Sequence, residues 1–434
     1  MNADPSTTLR FARDDNIMMS KIQTRLILTT LFLLPVYLIK IRFGWVSFNA
    51  LEILISVLFF GWLFEKNKKH VMPYAKYFIP ALLILTGLLL SVFANKNFYI
   101  GLGAIKGWFL FPIIFAIIFY NQLKKDDGLL KKSLAALFYS GFAISLFGII
   151  YKFLGIMTFD GRLKIFWDSP NQLAMFLAIP FLIGAARFVS RFDLGKSRTF
   201  SKVREEKVEP WKKLTIILGL ALIAINLYFT QSFGAWLAIA VSLVIYFWLK
   251  YSKILQKKHI AAFLIFFLIF ISWAGFSKFE NIKNLGDRSS LASRAMIWKS
   301  AGLMIKNNPL FGIGPGNFQE KYLEYQKYFP PYLEWSAPQP HNIFLAFWLE
   351  SGLIGLAGFI LLLIYFFSDN KKTIRNDRKA GILFLAIMIY ILIHGLVDTT
   401  YWRNDLAVVF WVMIAGNYYL REKSAECIQL EDKQ

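Results

Sequence analysis

The chain has 434 residues, 57% of them hydrophobic and only 18% charged, which is more apolar surface than one soluble core could bury and excludes a soluble globular protein. Its formal net charge of +22 would fit a nucleic-acid partner, but the basic residues gather in alternate loops between apolar runs, so no nucleic acid is expected. A single cysteine, Cys427, excludes a disulfide framework or a thiol metal site.

In chain order, a polar tail (1–25) precedes the first apolar run and has no small-residue cleavage site after it, so it reads as a retained cytoplasmic tail rather than a signal peptide. Nine apolar cores follow within 26–275: Leu26–Ile39, Phe48–Phe64, Phe78–Phe93, Gly101–Tyr120, Leu134–Ile156, Gln172–Val189, Leu214–Phe229, Gly234–Leu249 and Ile260–Ala274. A long polar segment (276–341) separates them from three more within 342–420, Ile343–Phe367, Ala380–Val397 and Leu406–Leu420, before a short tail (421–434). Each core approaches the length that crosses a hydrocarbon layer of about 30 Å. The fold class is therefore an all-α polytopic membrane protein of about twelve spans with one large loop bearing short amphipathic helices.

Basic clusters fall at Lys66 to Lys76, Lys124 to Lys132, Arg187 to Lys213, Lys250 to Lys258 and Lys371 to Lys379. This alternation follows the positive-inside rule and places both termini in the cytoplasm, with the long loop outside. The stretch Ser190–Lys213 reads as a flexible linker.

The outer loop has internal order. Asp287 or Ser289 is placed to cap a helix in which Leu291, Ala295, Trp298 and Met304 recur at helical spacing, as in a helix lying on a membrane surface. Asn307-Asn308-Pro309 ends it, and Gly312, Gly314 and Gly316 permit a tight turn. That glycine run lacks the Lys-Ser/Thr of a nucleotide-binding loop, so a structural turn is the expected reading. Tyr325, Tyr328, Phe329 and Tyr332 suit either sugar stacking or an interfacial aromatic belt. The segment closes on His341-Asn342.

A histidine at this interface suits general-base work, and Arg294, always charged and bidentate, suits an anionic leaving group. Together they describe transfer of a group away from a lipid phosphate or diphosphate. Taken singly, a helix-end His is more often a cap and an interfacial Arg more often snorkels. Within the spans, Glu350 is expected to face the bundle interior, His394 and Asp398 lie four apart and could bond each other, and Lys106 could turn inward or snorkel.

Four motifs carry a resemblance to a known family. Ser293-Arg294-x-x-Ile297-Trp298, Pro309-Leu310-x-Gly312-x-Gly314-x-Gly316-x-Phe318, His341-Asn342-x-Phe344-Leu345 and Glu350-x-Gly352-Leu353-x-Gly355 together resemble the signature region of the O-antigen ligase and polymerase superfamily. Upstream, Arg162-Leu163 and Ser169-Pro170-Asn171-Gln172 are similar to a second segment of that superfamily. The resemblance implies a membrane-embedded GT-C type glycosyltransferase of the cell inner (cytoplasmic) membrane, without cofactor or metal. Such enzymes move a glycan from an undecaprenyl-diphosphate carrier to an acceptor hydroxyl at the outer leaflet. It assigns His341 as the base and Arg294 to the diphosphate, with Arg162, Asn171, Asn342, Glu350 and Arg403 as substrate-binding candidates. Partners would be the polyprenyl-diphosphate-linked glycan donor, a lipid or glycan acceptor, and membrane lipids. The outer loops have no Asp-x-Asp pair, in line with metal independence.

One departure stands out. Phe233, in Thr230-Gln231-Ser232-Phe233-Gly234, occupies the place of an arginine that many members carry, so either Arg162 or Arg403 supplies the second cation of a diphosphate clamp, or the leaving group is held more loosely, or the chain is a divergent member; replacement by Arg162 is the favoured reading. The ligase label is favoured over a polymerase. A transporter for lipid-linked sugars would also have many spans, but would not need His341 beside Arg294.

Overall fold

The computed structural model describes residues 5–44, 46–65, 75–192, 210–251, 290–330 and 336–431. The ninth expected span Ile260–Ala274, the caps Asp287 and Ser289, Tyr332, and most of the linker Ser190–Lys213 lie outside them. The described helices are α1 Pro5–Phe32, α2 Ala50–Leu63, α3 Ala75–Asn95, α4 Phe98–Leu123, α5 Leu129–Phe153, α6 Pro170–Phe192 and α7 Pro210–Thr230. They continue with α8 Phe233–Lys250, α9 Ser290–Asn307, α10 Phe318–Tyr325, α11 Ile343–Asn376, α12 Arg378–Gly395 and α13 Asn404–Glu431.

Eight of these, α3 to α8, α11 and α12, are long and apolar enough to cross a membrane, and α2 is a shorter apolar helix. The protein is thus a multi-pass membrane protein. The figure of twelve is not reached on length and apolarity among the described residues. At the first expected span, α1 begins in a charged stretch and stops at Phe32, and Pro35 turns the chain into a 3-10 helix over Leu34–Leu38. At the last, α13 runs on from its apolar core into the charged C-terminal stretch.

One element departs from the all-α expectation. Lys40–Phe43 and Val46–Asn49 form an antiparallel hairpin in which Ile41 pairs with Phe48. Gly44, at φ +58°, supplies the left-handed turn that β-branched or bulky residues resist. Asn49 then caps α2, accepting from the Glu52 N–H at 2.9 Å while Glu52 returns the bond to the Asn49 N–H.

Two interruptions in membrane helices shape the rest. In α4 a π-turn over Lys106–Leu110 shifts the Phe111 N–H onto the Lys106 carbonyl, which frees the Gly107 carbonyl. Pro112 has no N–H for the Trp108 carbonyl. Both freed acceptors are taken by the chain ahead of and entering α13: Asn404 Nδ2 donates to Gly107 at 3.0 Å and the Tyr401 hydroxyl to Trp108 at 2.9 Å. Lys106 turns inward, 2.6 Å from Glu52.

In α11 the break falls at Gly352, with φ +65° and ψ −172°. The outer loop fills it: the Ile313 N–H donates to the Leu349 carbonyl at 2.6 Å and the Leu353 N–H to the Leu310 carbonyl at 3.0 Å. A Cβ on Gly312 would stand 2.2 Å from the Leu349 oxygen, so only glycine admits this approach. Irregular backbone at membrane depth is tolerated where protein pairs it in this way.

The core is one large apolar cluster through the spans, with a smaller one beneath the outer loop. In the smaller cluster α9 buries Met296, Ile297, Ala301 and Met304 together with Ile313, Phe318, Tyr322 and Leu349. Ala295 is exposed and Trp298 half-buried, so the buried stripe is rotated from the one expected. The reason is that α9 packs on α10 and α11 instead of lying alone on a surface.

Candidate active site

His341 stands between the outer loop and α11. Its φ of +47° is a left-handed conformation that costs a non-glycine residue about 1–2 kcal/mol. Both sides hold it there. Asn342 caps α11 by accepting from the Phe344 and Leu345 N–H groups at 2.9 and 3.1 Å, and its Nδ2 donates to the Leu396 carbonyl at the end of α12. Trp298 of α9 donates from Nε1 to the His341 carbonyl at 3.3 Å. The capping amide thus ties α11 to α12, and its role is to position the histidine beside it.

The imidazole Nδ1 lies 3.1 Å from Asp398 Oδ1. Asp398 follows α12 and is only 2% exposed. Burial pushes its carboxyl up, but His341, His394 and Arg294 together bring it below the usual carboxylate range. An ionised Asp398 can only accept, so the proton between them belongs to Nδ1, the tautomer that in a neutral imidazole puts the lone pair on Nε2. His341 keeps 27% of its side chain exposed.

Arg294 stands one helical turn before Trp298 on α9. Its Nε donates to the Val397 carbonyl at 2.7 Å, and Nη2 lies 3.8 Å from Asp398 Oδ2. That oxygen is buried with no hydrogen bond within normal length. Histidine, arginine and aspartate therefore come together from α9, the start of α11 and the end of α12.

Arg162, on the segment between α5 and α6, donates from Nε to the Thr230 carbonyl at 2.8 Å and from Nη2 to Asn171 Oδ1 at 2.8 Å. Thr230 is the last residue of α7, in the turn that leads to Phe233. Arg162 thus presents a guanidinium to the turn where the family pattern has its arginine. Burial lowers its proton affinity, and the charges of Arg294 and Asp398 both act on it, so the two arginines share one electrostatic environment.

The remaining candidates are placed otherwise. Arg403 is locked onto Asp405 through two parallel bonds of 2.6 and 2.7 Å and donates a third to the Gln172 carbonyl at 2.9 Å. Glu350 is fully buried in α11, where Oε2 accepts from the Gly316 N–H at 3.2 Å and Oε1 has no hydrogen-bond partner. It latches the glycine loop to the helix. His394 does not bond the Asp398 side chain; its Nδ1 faces the Tyr390 hydroxyl at 2.8 Å. The helix ends at Gly395, so the four-residue spacing no longer stacks the two side chains on one face.

The residue that sequence reasoning placed in the wrong pair is Asp398. Its partner is 57 positions away, and its only local signal was an acidic side chain at the outer end of a span.

A family model described as O-antigen ligase matches residues 218–360. The match spans α7 and α8, Arg294, the glycine turn, His341 and α11 through Glu350. Arg162, Asn171, Asp398 and Arg403 lie outside it. No curated protein matches the chain.

Proposed function

We propose that this chain, whose residues 218–360 match the O-antigen ligase family model, is a membrane glycosyltransferase of the O-antigen ligase and polymerase superfamily that moves a glycan from an undecaprenyl-diphosphate carrier to an acceptor hydroxyl at the outer leaflet, in the manner of the ligases. The observation that carries the reading is the shared carboxylate of Asp398, which orients the His341 imidazole and lies beside the Arg294 guanidinium. The alternating basic loops support a protein of the inner membrane with both termini in the cytoplasm and this site outside.

In this mechanism Nε2 of His341 accepts the proton of the acceptor hydroxyl as its oxygen attacks the anomeric carbon of the donor sugar. The bond from that carbon to the diphosphate oxygen breaks, and the electron pair leaves with the lipid diphosphate. Arg294 and Arg162 carry the counter-charge for that leaving group. The proton ends on His341, where Asp398 stabilises the imidazolium. Arg162 takes the part that Phe233 vacates, with Asn171 and the Thr230 carbonyl holding its side chain. Arg403, already paired with Asp405, serves the fold.

The test is glycan transfer by purified protein from a polyprenyl-diphosphate-linked oligosaccharide, with EDTA present, to lipid and glycan acceptors. Transfer by the wild type that collapses in folded His341→Ala and Arg294→Ala supports these roles, and the acceptor used separates ligase from polymerase. Full activity in both variants overturns the site. Passage of the lipid-linked sugar across a bilayer with no transfer would make the protein a transporter.

A further inference from the structure

At the end of the bundle away from His341, α3, the second half of α4 and α13 line a shallow apolar groove of about 50 Å³. Phe78 and Ala81 form one wall, Ile113 and Ile117 the other, and Trp411 and Ile414 the floor. No polar atom faces it, and Phe78 is 52% exposed at its lip.

Tyr77 closes one end of this groove and donates its hydroxyl to Asp369 Oδ2 at 2.8 Å. The other oxygen of Asp369 has Lys76 Nζ at 2.7 Å and Arg421 Nε at 3.8 Å. Asp369 is fully buried, whereas both cationic side chains remain 30% exposed. Among the described residues, this one carboxylate faces two cations, next to Tyr77 at the edge of an apolar slot. Asp369 lies 17 positions beyond the break at Gly352, roughly 26 Å of uninterrupted helix and close to the thickness of a hydrocarbon core, which puts the groove toward the bilayer face opposite the His341 site.

We propose that this groove binds an anionic phospholipid of the leaflet opposite the His341 site, with an acyl chain against Ala81, Ile117 and Trp411 and the phosphate at Lys76 and Arg421. The occupant follows from the two parts of the surface. An apolar slot alone would accept any chain, and a cationic pair alone any anion, but an anionic amphiphile satisfies both. The proposal is independent of the transfer chemistry, since neither Asp369 nor the groove belongs to the site around His341.

Native mass spectrometry of the full chain in detergent, titrated separately with phosphatidylglycerol and phosphatidylcholine of matched acyl chains, tests it. The wild type should take up its first phosphatidylglycerol at least tenfold more tightly than phosphatidylcholine. Arg421→Gln should reduce phosphatidylglycerol to the level of phosphatidylcholine, and Ala81→Phe, which fills the groove and leaves the charges, should weaken the first binding event for both lipids about tenfold. Equal binding of the two lipids by the wild type overturns the proposal. So does wild-type preference in Arg421→Gln, which keeps the idea falsifiable if Ala81→Phe fails to fold.

Discussion

Two arginine–aspartate pairs lie near the same end of the bundle and differ in how far they are closed. Arg403 grips Asp405 with both arms of its guanidinium at 2.6 and 2.7 Å, donates its remaining contact to a backbone carbonyl and is 8% exposed. Arg294 approaches Asp398 only to 3.8 Å, spends Nε on the Val397 carbonyl, and the facing carboxylate oxygen has no hydrogen bond. The closed pair has its charges matched and holds the guanidinium through three bonds, an arrangement that suits architecture. The open pair shares its carboxylate with His341, and its contact with Arg294 is long, so this carboxylate serves two side chains where Asp405 serves one.

Substitutions should separate the two pairs most sharply at the histidine. His341→Ala is expected to lower kcat for glycan transfer by about 10²–10⁴-fold, the usual worth of a general base, with a fall in unfolding temperature smaller than that of Arg403→Ala, because Asp398 keeps Arg294 beside it. Arg403→Ala should do the reverse. It strands Asp405 in the interior, and breaking a buried pair costs about 3–5 kcal/mol, to be read as a fall in thermal stability in detergent.

Asp398→Asn probes the open pair from its acidic side. The amide can donate to Nδ1 and hold the imidazole in the other tautomer, so kcat should fall by about 10²-fold with KM nearly unchanged. The same variant reports on charge. The Asp398 carboxyl is held below its ordinary value in the folded protein, so its stabilising contribution is complete above the unfolded value of about 3.9 and is lost as the pH falls through the lower folded value. The difference in unfolding temperature between wild type and Asp398→Asn should therefore stay constant from neutral pH to about pH 4 and narrow below it. The smallest effect is expected at Arg162→Lys. This change keeps the charge but loses the two-point hold on Thr230 and Asn171, so a rise in donor KM of about tenfold, with kcat less affected, would identify Arg162 as the second cation.

The sequence made the frame readable and part of the site. Apolar runs marked the long helices, Asn308-Pro309 marked the end of α9, and the motifs around Arg294 and His341 drew attention to two side chains that the fold brings to one carboxylate. What it hid depends on long-range pairing. The i, i+4 spacing of His394 and Asp398 suggested a bond that the end of α12 at Gly395 removes. The π-turn in α4 and the break in α11 both sit inside apolar runs, where hydropathy registers only a span. The hairpin at Lys40–Asn49 is short, and only its glycine turn and alternating Ile41 and Phe43 hinted at it.

The way the outer loop closes the break at Gly352 bears on how such proteins can be recombined. Leu310 and Ile313 complete the backbone bonding of a membrane helix, so this stretch is part of that helix in all but sequence position. A chimaera that exchanged the loop as a module would leave the Leu349 carbonyl and the Leu353 N–H bare in the bilayer unless the donor loop brought the same backbone course. The transplantable unit therefore runs from α9 through the first turns beyond Gly352, and a crossover between Leu310 and Leu353 cuts through one structural element.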